Sequence, residues 1–196
     1  MTTSDQKYLQ YLQQRSWKGH LYRRHWLYPR LARHLRGKVL DVGCGIGDML
    51  RFRPGTVGVD VNPETVAVCR AGGLDARVMQ ADVLPFADAT FDGVVLDNVL
   101  EHLSEPRPLL LEIHRVLVPG GNLLAGVPGK RGYLADPDHK VFYDEEALES
   151  IMTTVGLAKS TSFHMPVDLR WLDARMSAYC LYGVFERPLP QLPASQ

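Results

Sequence analysis

The chain has 196 residues, of which 45% are hydrophobic and 22% charged, and its 22 basic side chains balance its 22 acidic ones. This size and composition fit one globular domain with a proper hydrophobic core. No apolar run is long enough to cross a bilayer and the polar residues 1–7 are unlike a secretory signal, so we expect a cytoplasmic protein without a membrane span.

The cysteines are few and widely spaced. Cys44, Cys69 and Cys180 are odd in number and far apart in the sequence. Such spacing predicts neither a disulfide framework nor a zinc site, and we expect no metal site of another kind.

Residues 1–37 form a basic segment ahead of the first predicted strand. Through Lys38 the chain holds nine cationic residues against Asp5 alone, a net charge of +8. Aromatic side chains are interleaved with these cations: Tyr8, Tyr11, Trp17, Tyr22, Trp26 and Tyr28. We interpret the segment as a helical cover over a ligand pocket, or as an amphipathic helix packed on the sheet with its cations solvated. A nucleic-acid surface is a less favoured interpretation, because basic patches alone specify little.

A glycine-rich loop follows the first predicted strand. Residues 38–47 have the sequence KVLDVGCGIG, and the apolar run 57–60 ends in Asp60, 19 positions after Asp41. Glycine lets the backbone turn sharply and approach a ligand, because it has no Cβ. An acidic residue about 20 positions after such a strand is placed to hold a ribose. The pattern therefore predicts a nucleoside-binding βαβ unit.

The spacing of the glycines indicates which nucleosides fit. In the dinucleotide-binding pattern G-x-G-x-x-G, the third glycine would fall at Asp48 of this chain. An aspartate at the start of the following helix would repel a pyrophosphate, which binds at a vacant helix N-terminus. The spacing favours a nucleoside without a phosphate and disfavours a nicotinamide-dependent oxidoreductase.

The later elements alternate between helices and strands. In chain order they are a short helix broken at Pro54-Gly55, a helix from Asn62-Pro63 to Gly72-Gly73, a strand ending at Asp82, a strand at 91–97, a helix at 107–118 capped by Ser104, a strand at 123–127, a helix capped by Asp144 and a last strand at 182–186. This alternation predicts a parallel sheet covered by helices on both faces. Ligands of such sheets bind beyond the carboxyl ends of the strands.

These motifs, in this order, resemble those of the class I S-adenosylmethionine-dependent methyltransferases, specifically the type 11 group. The resemblance covers roughly residues 35 to 157. It implies an α/β fold: a doubly wound, Rossmann-like sheet of about seven strands, mostly parallel with an antiparallel last strand, and helices on both faces. We expect one methyltransferase domain at 38–187, preceded by the cover at 1–37 and followed by a flexible tail at 188–196.

The resemblance also implies S-adenosyl-L-methionine as cofactor and S-adenosyl-L-homocysteine as product. The cofactor-binding positions that it implies are Asp41, Gly43, Cys44, Gly45, Gly47, Asp60, Val61, Asp82, Val83 and Asn98. Among these, Asp60 would hold both ribose hydroxyls and Val61 would lie against the adenine. Asp82 and the Val83 backbone N–H would bind the adenine edge, and the Asn98 backbone would meet the methionine amino group.

Three residues are candidates for catalysis. His102 follows the fourth strand and titrates near neutrality, so it is a candidate general base for a hydroxyl acceptor. Glu101 would orient it or contact the acceptor, and His139 is an alternative base. The competing interpretation is that both histidines only brace loops.

The expected reaction is methyl transfer to a small-molecule acceptor, such as a hydroxyl of an anionic sugar or metabolite. Acceptor specificity is expected in residues 129–133, 136–143 and 163–175. The alternatives are a cofactor-binding protein without transferase activity and, less favoured, a nucleic-acid methyltransferase or an NAD-dependent oxidoreductase. We expect a monomer or a homodimer.

Overall fold

A computed structural model describes Leu9, Leu12, residues 16–169, Asp173 and residues 175–190. The strands are β1 (Val39–Val42), β2 (Val57–Asp60), β3 (Ala76–Val78), β4 (Phe91–Asp97), β5 (Leu117–Pro128), β6 (Ala158–Met165) and β7 (Cys180–Glu186). They form one seven-stranded sheet in the order β3-β2-β1-β4-β5-β7-β6. Strand β7 runs antiparallel to β5 and β6, and the other pairings are parallel. The predicted fold class is confirmed.

Helices connect the strands and precede the sheet. They are α1 (Trp17–Tyr22), a π-helical turn (Arg23–Leu27), α2 (Tyr28–Ala32), α3 (Asp48–Phe52), α4 (Pro63–Ala71), a 3₁₀ turn (Leu100–His102), α5 (Arg107–Val116), α6 (Lys130–Ala135) and α7 (Glu145–Thr153). Within the described part of the chain, no helix combines the length and apolarity that crossing a membrane requires.

The sheet is covered on both faces because successive strand residues point to opposite sides. On β4, Val94 and Leu96 pack into a core with Ile113 of α5. Between them, Val95 points the other way, into a second core with Leu31 of α2. Helices α5 and α2 therefore lie on opposite faces of the sheet.

The basic segment packs on the sheet and also exposes aromatic side chains. Leu31 and Tyr28 are buried, whereas Trp17 and Trp26 are exposed. The Trp26 indole Nε1 donates to the Pro166 carbonyl at 2.7 Å, which joins the segment to the loop after β6. Helix α2 therefore packs on the sheet, as one of the two interpretations of the segment expects. Tyr8 and Tyr11 lie outside the described residues.

Two of the three predicted helix caps are present. The Asn62 side chain accepts from the Glu64 N–H, and that of Asp144 accepts from the Ala147 N–H. Ser104 was predicted to cap α5, but Pro106 occupies the N-cap position, so that prediction is wrong. Helix α5 also ends at Val116, because the following residues are extended and already belong to β5.

The third strand ends earlier in the chain than predicted. It covers only Ala76–Val78, and Asp82 lies in a turn closed by an isolated bridge between Gln80 and Val83. Asp82 has a φ of 61°, a left-handed backbone that a strand does not contain. The short first helix was predicted correctly, since α3 has five residues.

Candidate active site

The loop after β1 is pinned to the neighbouring strand. The N–H groups of Gly43 and Cys44 both donate to the Val59 carbonyl, at 2.8 and 3.0 Å. Gly47 has a φ of 82°, and a Cβ there would lie 2.6 Å from Cδ1 of Leu74. Only glycine satisfies both the backbone angle and the space at this position.

Asp60 ties that loop to helix α4. One carboxylate oxygen accepts from the Gly45 N–H and the other from the Asn62 N–H, each at 2.8 Å. The side chain is buried at the carboxyl end of β2, and burial raises its pKa above the usual value while these backbone N–H groups lower it. The structure thus holds a fixed carboxylate against the glycine loop.

Two apolar side chains next to this carboxylate are exposed. Val61 follows β2 and is 58% exposed, and Val83 follows the turn after β3, the neighbouring strand, and is 50% exposed. Exposed valines in the segments that follow adjacent strands offer an apolar surface for a planar ring. Asp82, between them in sequence, is half-buried.

Carboxyl groups from three adjacent strands converge at the same edge. Asp41 on β1 is buried, and burial, then the nearby Asp97 and Asp60, raise its pKa to about 8. The raised pKa keeps the Asp41 carboxyl protonated at neutral pH.

Asp97, the last residue of β4, is the hydrogen-bonding centre of this edge. Its Oδ1 accepts from the Tyr182 hydroxyl at 2.8 Å and from the Asn98 amide at 2.9 Å. Its Oδ2 lies 3.5 Å from Nη1 of Arg23, which also donates to the Tyr28 hydroxyl at 3.2 Å. The basic segment therefore contributes a cation to the site.

Three residues of this site were not among the predicted ones: Asp97, Arg23 and Tyr182. Asp97 could have been chosen, since it ends a predicted strand as Asp60 does. Nothing in the sequence distinguished Arg23 from the other cations of the basic segment.

The three candidate catalytic residues come together directly after β4. Oε1 of Glu101 lies 3.9 Å from Nε2 of His139, and the ring centroids of His102 and His139 are 4.7 Å apart. Glu101 is 1% exposed, and neither of its carboxylate oxygens has a hydrogen-bond partner among the described residues. We refer to these three residues as the Glu-His-His cluster.

The electrostatics of the Glu-His-His cluster follow from its burial. Burial, with smaller contributions from Asp97 and Asp136, raises the pKa of Glu101 to about 8. Burial and the adjacent His139 lower the pKa of His102 below its usual value. His102 is therefore a neutral imidazole near pH 7.

Backbone hydrogen bonds fix the cluster. The Glu101 carbonyl accepts from the N–H groups of Lys140 and Val141, at 2.7 and 3.2 Å. Nδ1 of His139 bonds to the Tyr133 carbonyl at 2.9 Å, and the Tyr133 ring stacks on the imidazole. The loop at 136–143 thus contacts the turn after β4. Within the third segment expected to set acceptor specificity, residues 170–172 and 174 lie outside the described residues.

Comparisons with known proteins identify the family. The family model described as "Methyltransferase domain" matches residues 40–125. A probable S-adenosylmethionine-dependent methyltransferase of Mycolicibacterium smegmatis is 31% identical, over 90% of this chain and 75% of the relative. The chain belongs to the class I S-adenosylmethionine-dependent methyltransferases, in the type 11 group. As a member of that family it is an enzyme, and the prediction of a methyltransferase is confirmed.

Other relatives of this methyltransferase have different acceptors in their names. A demethylmenaquinone methyltransferase of Thermus thermophilus is 38% identical over 44% of this chain and 45% of the relative. The probable tRNA methyltransferase 9B of Homo sapiens is 34% identical over 50% of this chain and 24% of the relative. In fold, the solved complex between the Haloferax volcanii Trm112 methyltransferase activator and a methyltransferase matches with a TM-score of 0.72 at 21% identity, covering 96% of this chain and 99% of that one.

The methyltransferase uses S-adenosyl-L-methionine as its cofactor, as predicted. The residues present fit this group, because a buried carboxylate, exposed valines and a loop with glycines at 43, 45 and 47 lie along one edge of the sheet. Asp48 stands at the start of α3, with Oδ1 3.9 Å from Nη1 of Arg51. A carboxylate at that helix N-terminus argues against a pyrophosphate-bearing coenzyme.

Proposed function

We propose that this enzyme transfers the methyl group of S-adenosylmethionine to a hydroxyl of a small, anionic acceptor. The observation that carries the proposal is the Glu-His-His cluster, which places a buried carboxyl and two imidazoles directly after β4. Asp97 ends that strand, and its charge contributes to the raised pKa of Glu101, so the cluster adjoins the cofactor edge. A hydroxyl acceptor must lose a proton as its bond to carbon forms, and imidazole accepts protons near neutral pH.

The cofactor in this proposal lies along the edge formed by β1, β2 and β4. Asp60 holds the ribose, and Val61 and Val83 lie against the adenine beside Asp82. The amino-acid part runs along the loop, past Gly43, Cys44, Gly45 and Gly47, toward Asp41 and the Asn98 backbone. This arrangement is supported by the burial of Asp60 and the exposure of both valines.

The chemical step needs alignment more than activation, since a sulfonium methyl is already electrophilic. When bound, S-adenosylmethionine would supply a methyl group that passes to the acceptor oxygen, while the electron pair of the broken S–C bond stays on sulfur. The hydroxyl proton passes to the Glu-His-His cluster. His102 is suited to receive it, because its lowered pKa leaves the ring unprotonated.

A small acceptor is favoured because the cluster is enclosed. Glu101 is buried, the His139 side chain is 9% exposed, and Tyr143 from the adjacent loop is also buried. The Arg23 guanidinium lies 3.5 Å from Asp97 at the end of β4, and a positive charge near the site favours an anionic acceptor.

RNA is a second candidate acceptor. Arg24, Arg30 and Arg33 of the basic segment are exposed, and one relative is named as a probable tRNA methyltransferase. Exposed cations of this kind bind phosphate backbones without sequence preference.

Labelled methyl transfer tests the acceptor. The enzyme is incubated with methyl-labelled S-adenosylmethionine and, in parallel, with a metabolite extract or with total RNA. We expect label in small anionic products, and label confined to RNA would overturn the small-molecule proposal in favour of the second candidate.

A variant tests the role of the cluster in the same assay. His102→Ala should slow methyl transfer at least about 100-fold, the low end for a lost acid–base group, with cofactor affinity unchanged. His114→Ala is the matched control, since His114 lies on α5, outside the cluster. Equal turnover of His102→Ala and wild type would remove His102 from the mechanism.

A further inference from the structure

We infer that Glu101, His102 and His139 form a binding site for a divalent transition-metal ion of the zinc class. The inference rests on the proposed function, because it places the cation on the acceptor side of the same site. It departs from the expectation that the chain has no metal site.

The three residues supply a suitable set of ligand atoms. One carboxylate oxygen and one nitrogen from each imidazole all lie within 4.8 Å of one another. Two histidines and a carboxylate are a recurrent ligand set for zinc and for iron(II). At metal–ligand bonds of about 2.1 Å in tetrahedral geometry, the ligand atoms would be about 3.4 Å apart. Side-chain rotations that move these atoms by about 1 Å therefore close the site.

The unpartnered carboxylate of Glu101 points independently to a ligand. The side chain is 1% exposed, and neither oxygen has a hydrogen-bond partner on another residue within the described part of the protein. A buried polar group without a partner is costly, and more so when it is charged. A bound cation satisfies these oxygens, whereas the described neighbours do not.

His139 is already oriented as a metal ligand. A backbone carbonyl can only accept, so the hydrogen bond of 2.9 Å to the Tyr133 carbonyl places a proton on Nδ1 of His139. The lone pair then lies on Nε2, the nitrogen that faces Glu101. Metal-ligating histidines in proteins carry this second hydrogen bond, which fixes the ring and its tautomer.

A further carboxylate lies beside the same nitrogen. Oδ2 of Asp136 is 3.8 Å from Nε2 of His139, and its side chain is 38% exposed. Asp136 is therefore available as a fourth ligand or as a partner of a metal-bound water. Without it, three protein ligands leave a coordination position open to another molecule, as in catalytic zinc sites.

The open position gives the cation a role in the proposed reaction. An acceptor hydroxyl bound there becomes more acidic and releases its proton to water. The resulting oxygen forms a bond to the methyl carbon, and the S–C bond breaks with its electron pair left on sulfur. In this form of the reaction the two histidines act as ligands, and the cation takes over the part otherwise assigned to an imidazole base.

Metal titration of the untagged, metal-stripped enzyme tests the inference. Calorimetry with ZnCl₂, and visible absorption with CoCl₂, should show one site per chain. Glu101→Gln and His139→Ala should each weaken binding at least about 100-fold, because even supporting residues of a metal site contribute about 10- to 100-fold. His114→Ala should bind both ions as wild type does. Equal affinity of wild type and the two cluster variants would overturn the inference.

One further measurement separates failure of the metal site from failure of the proposed function. S-adenosylhomocysteine binding is measured on every variant, because it reports a folded cofactor site independently of the metal. Cofactor binding without metal binding would overturn the metal site and leave the proposed function standing. Metal binding by wild type without cofactor binding would instead contradict the proposed function.

Histidine NMR of the wild-type enzyme makes the test independent of variant folding. On saturation with Zn²⁺, the imidazole ¹⁵N signals of His102 and His139 should shift, and that of His114 should not. Shifts confined to the exposed His20 and His25 would show adventitious surface binding only, and would overturn the inference.

Discussion

Replacing Asp60 by alanine tests the cofactor site most directly. The carboxylate is 4% exposed and lies at the end of β2, where the ribose hydroxyls are proposed to bind. A hydrogen bond to a charged group contributes about 1.5–3 kcal/mol, and about 1.4 kcal/mol corresponds to a tenfold change in affinity. We therefore expect Asp60→Ala to weaken S-adenosylmethionine binding by about 10- to 100-fold, measured by calorimetry.

The same variant should also lose stability. The Asp60 carboxylate accepts from the backbone N–H groups of Gly45 and Asn62, and both donors lose their partner in the variant. Each loss costs about 1–3 kcal/mol in the free energy of unfolding. Urea denaturation measures this second effect separately from cofactor affinity.

Asn62→Ala is the matched control. It removes the side-chain cap of α4 next to Asp60, at a cost of about 0.5–2 kcal/mol in stability, but keeps the carboxylate. Its cofactor affinity should stay within about twofold of wild type. The ribose assignment is refuted if Asp60→Ala binds the cofactor as wild type does, or if Asn62→Ala weakens binding equally.

Two more variants test the backbone and the electrostatics of the site. Gly47→Ala should be less stable than Gly55→Ala by about 1–3 kcal/mol in urea denaturation. Both glycines have a positive φ, but of the two only Gly47 has neighbours that a Cβ would meet, at 2.6 and 2.9 Å. Equal losses of stability would contradict the packing argument. The pKa of Asp41 is about 8 in the folded state and about 4 in the unfolded state, so the unfolded state releases this proton first as the pH rises. Wild-type stability therefore falls as the pH rises between those two values. Asp41→Asn lacks this titration, and its stability relative to wild type should therefore increase from pH 5 to pH 8. If the stabilities of the two proteins change in parallel with pH, the pKa of Asp41 is not raised.

The sequence predicted the sheet well because its signals are local. The glycines at 43–47 and the cap at Asn62 act within a few residues, so their consequences follow from the chain itself. Strand β3 was misplaced because it has only three residues, two of them exposed, and such a strand has no hydrophobic pattern to mark it. Ser104 was misassigned because a proline took the capping position.

The site was predicted less completely, because its contacts are distant in sequence. The residues 101, 102 and 139 were each named, but their assembly into one cluster depends on the hydrogen bonds between Glu101 and the loop at Lys140. The ion pair of Arg23 with Asp97 joins residues on opposite sides of the glycine loop in sequence. No spacing rule in the chain predicts that contact.

The position of β7 constrains how the enzyme folds during synthesis. Strand β7 is made after β6 but inserts between β5 and β6, so neither neighbour can pair completely before it arrives. Until Glu186 has left the ribosome, β5 and β6 each present an unpaired edge, and such edges promote association with other chains. Nascent chains that stop short of residue 180 should therefore depend on chaperones more than the completed enzyme does.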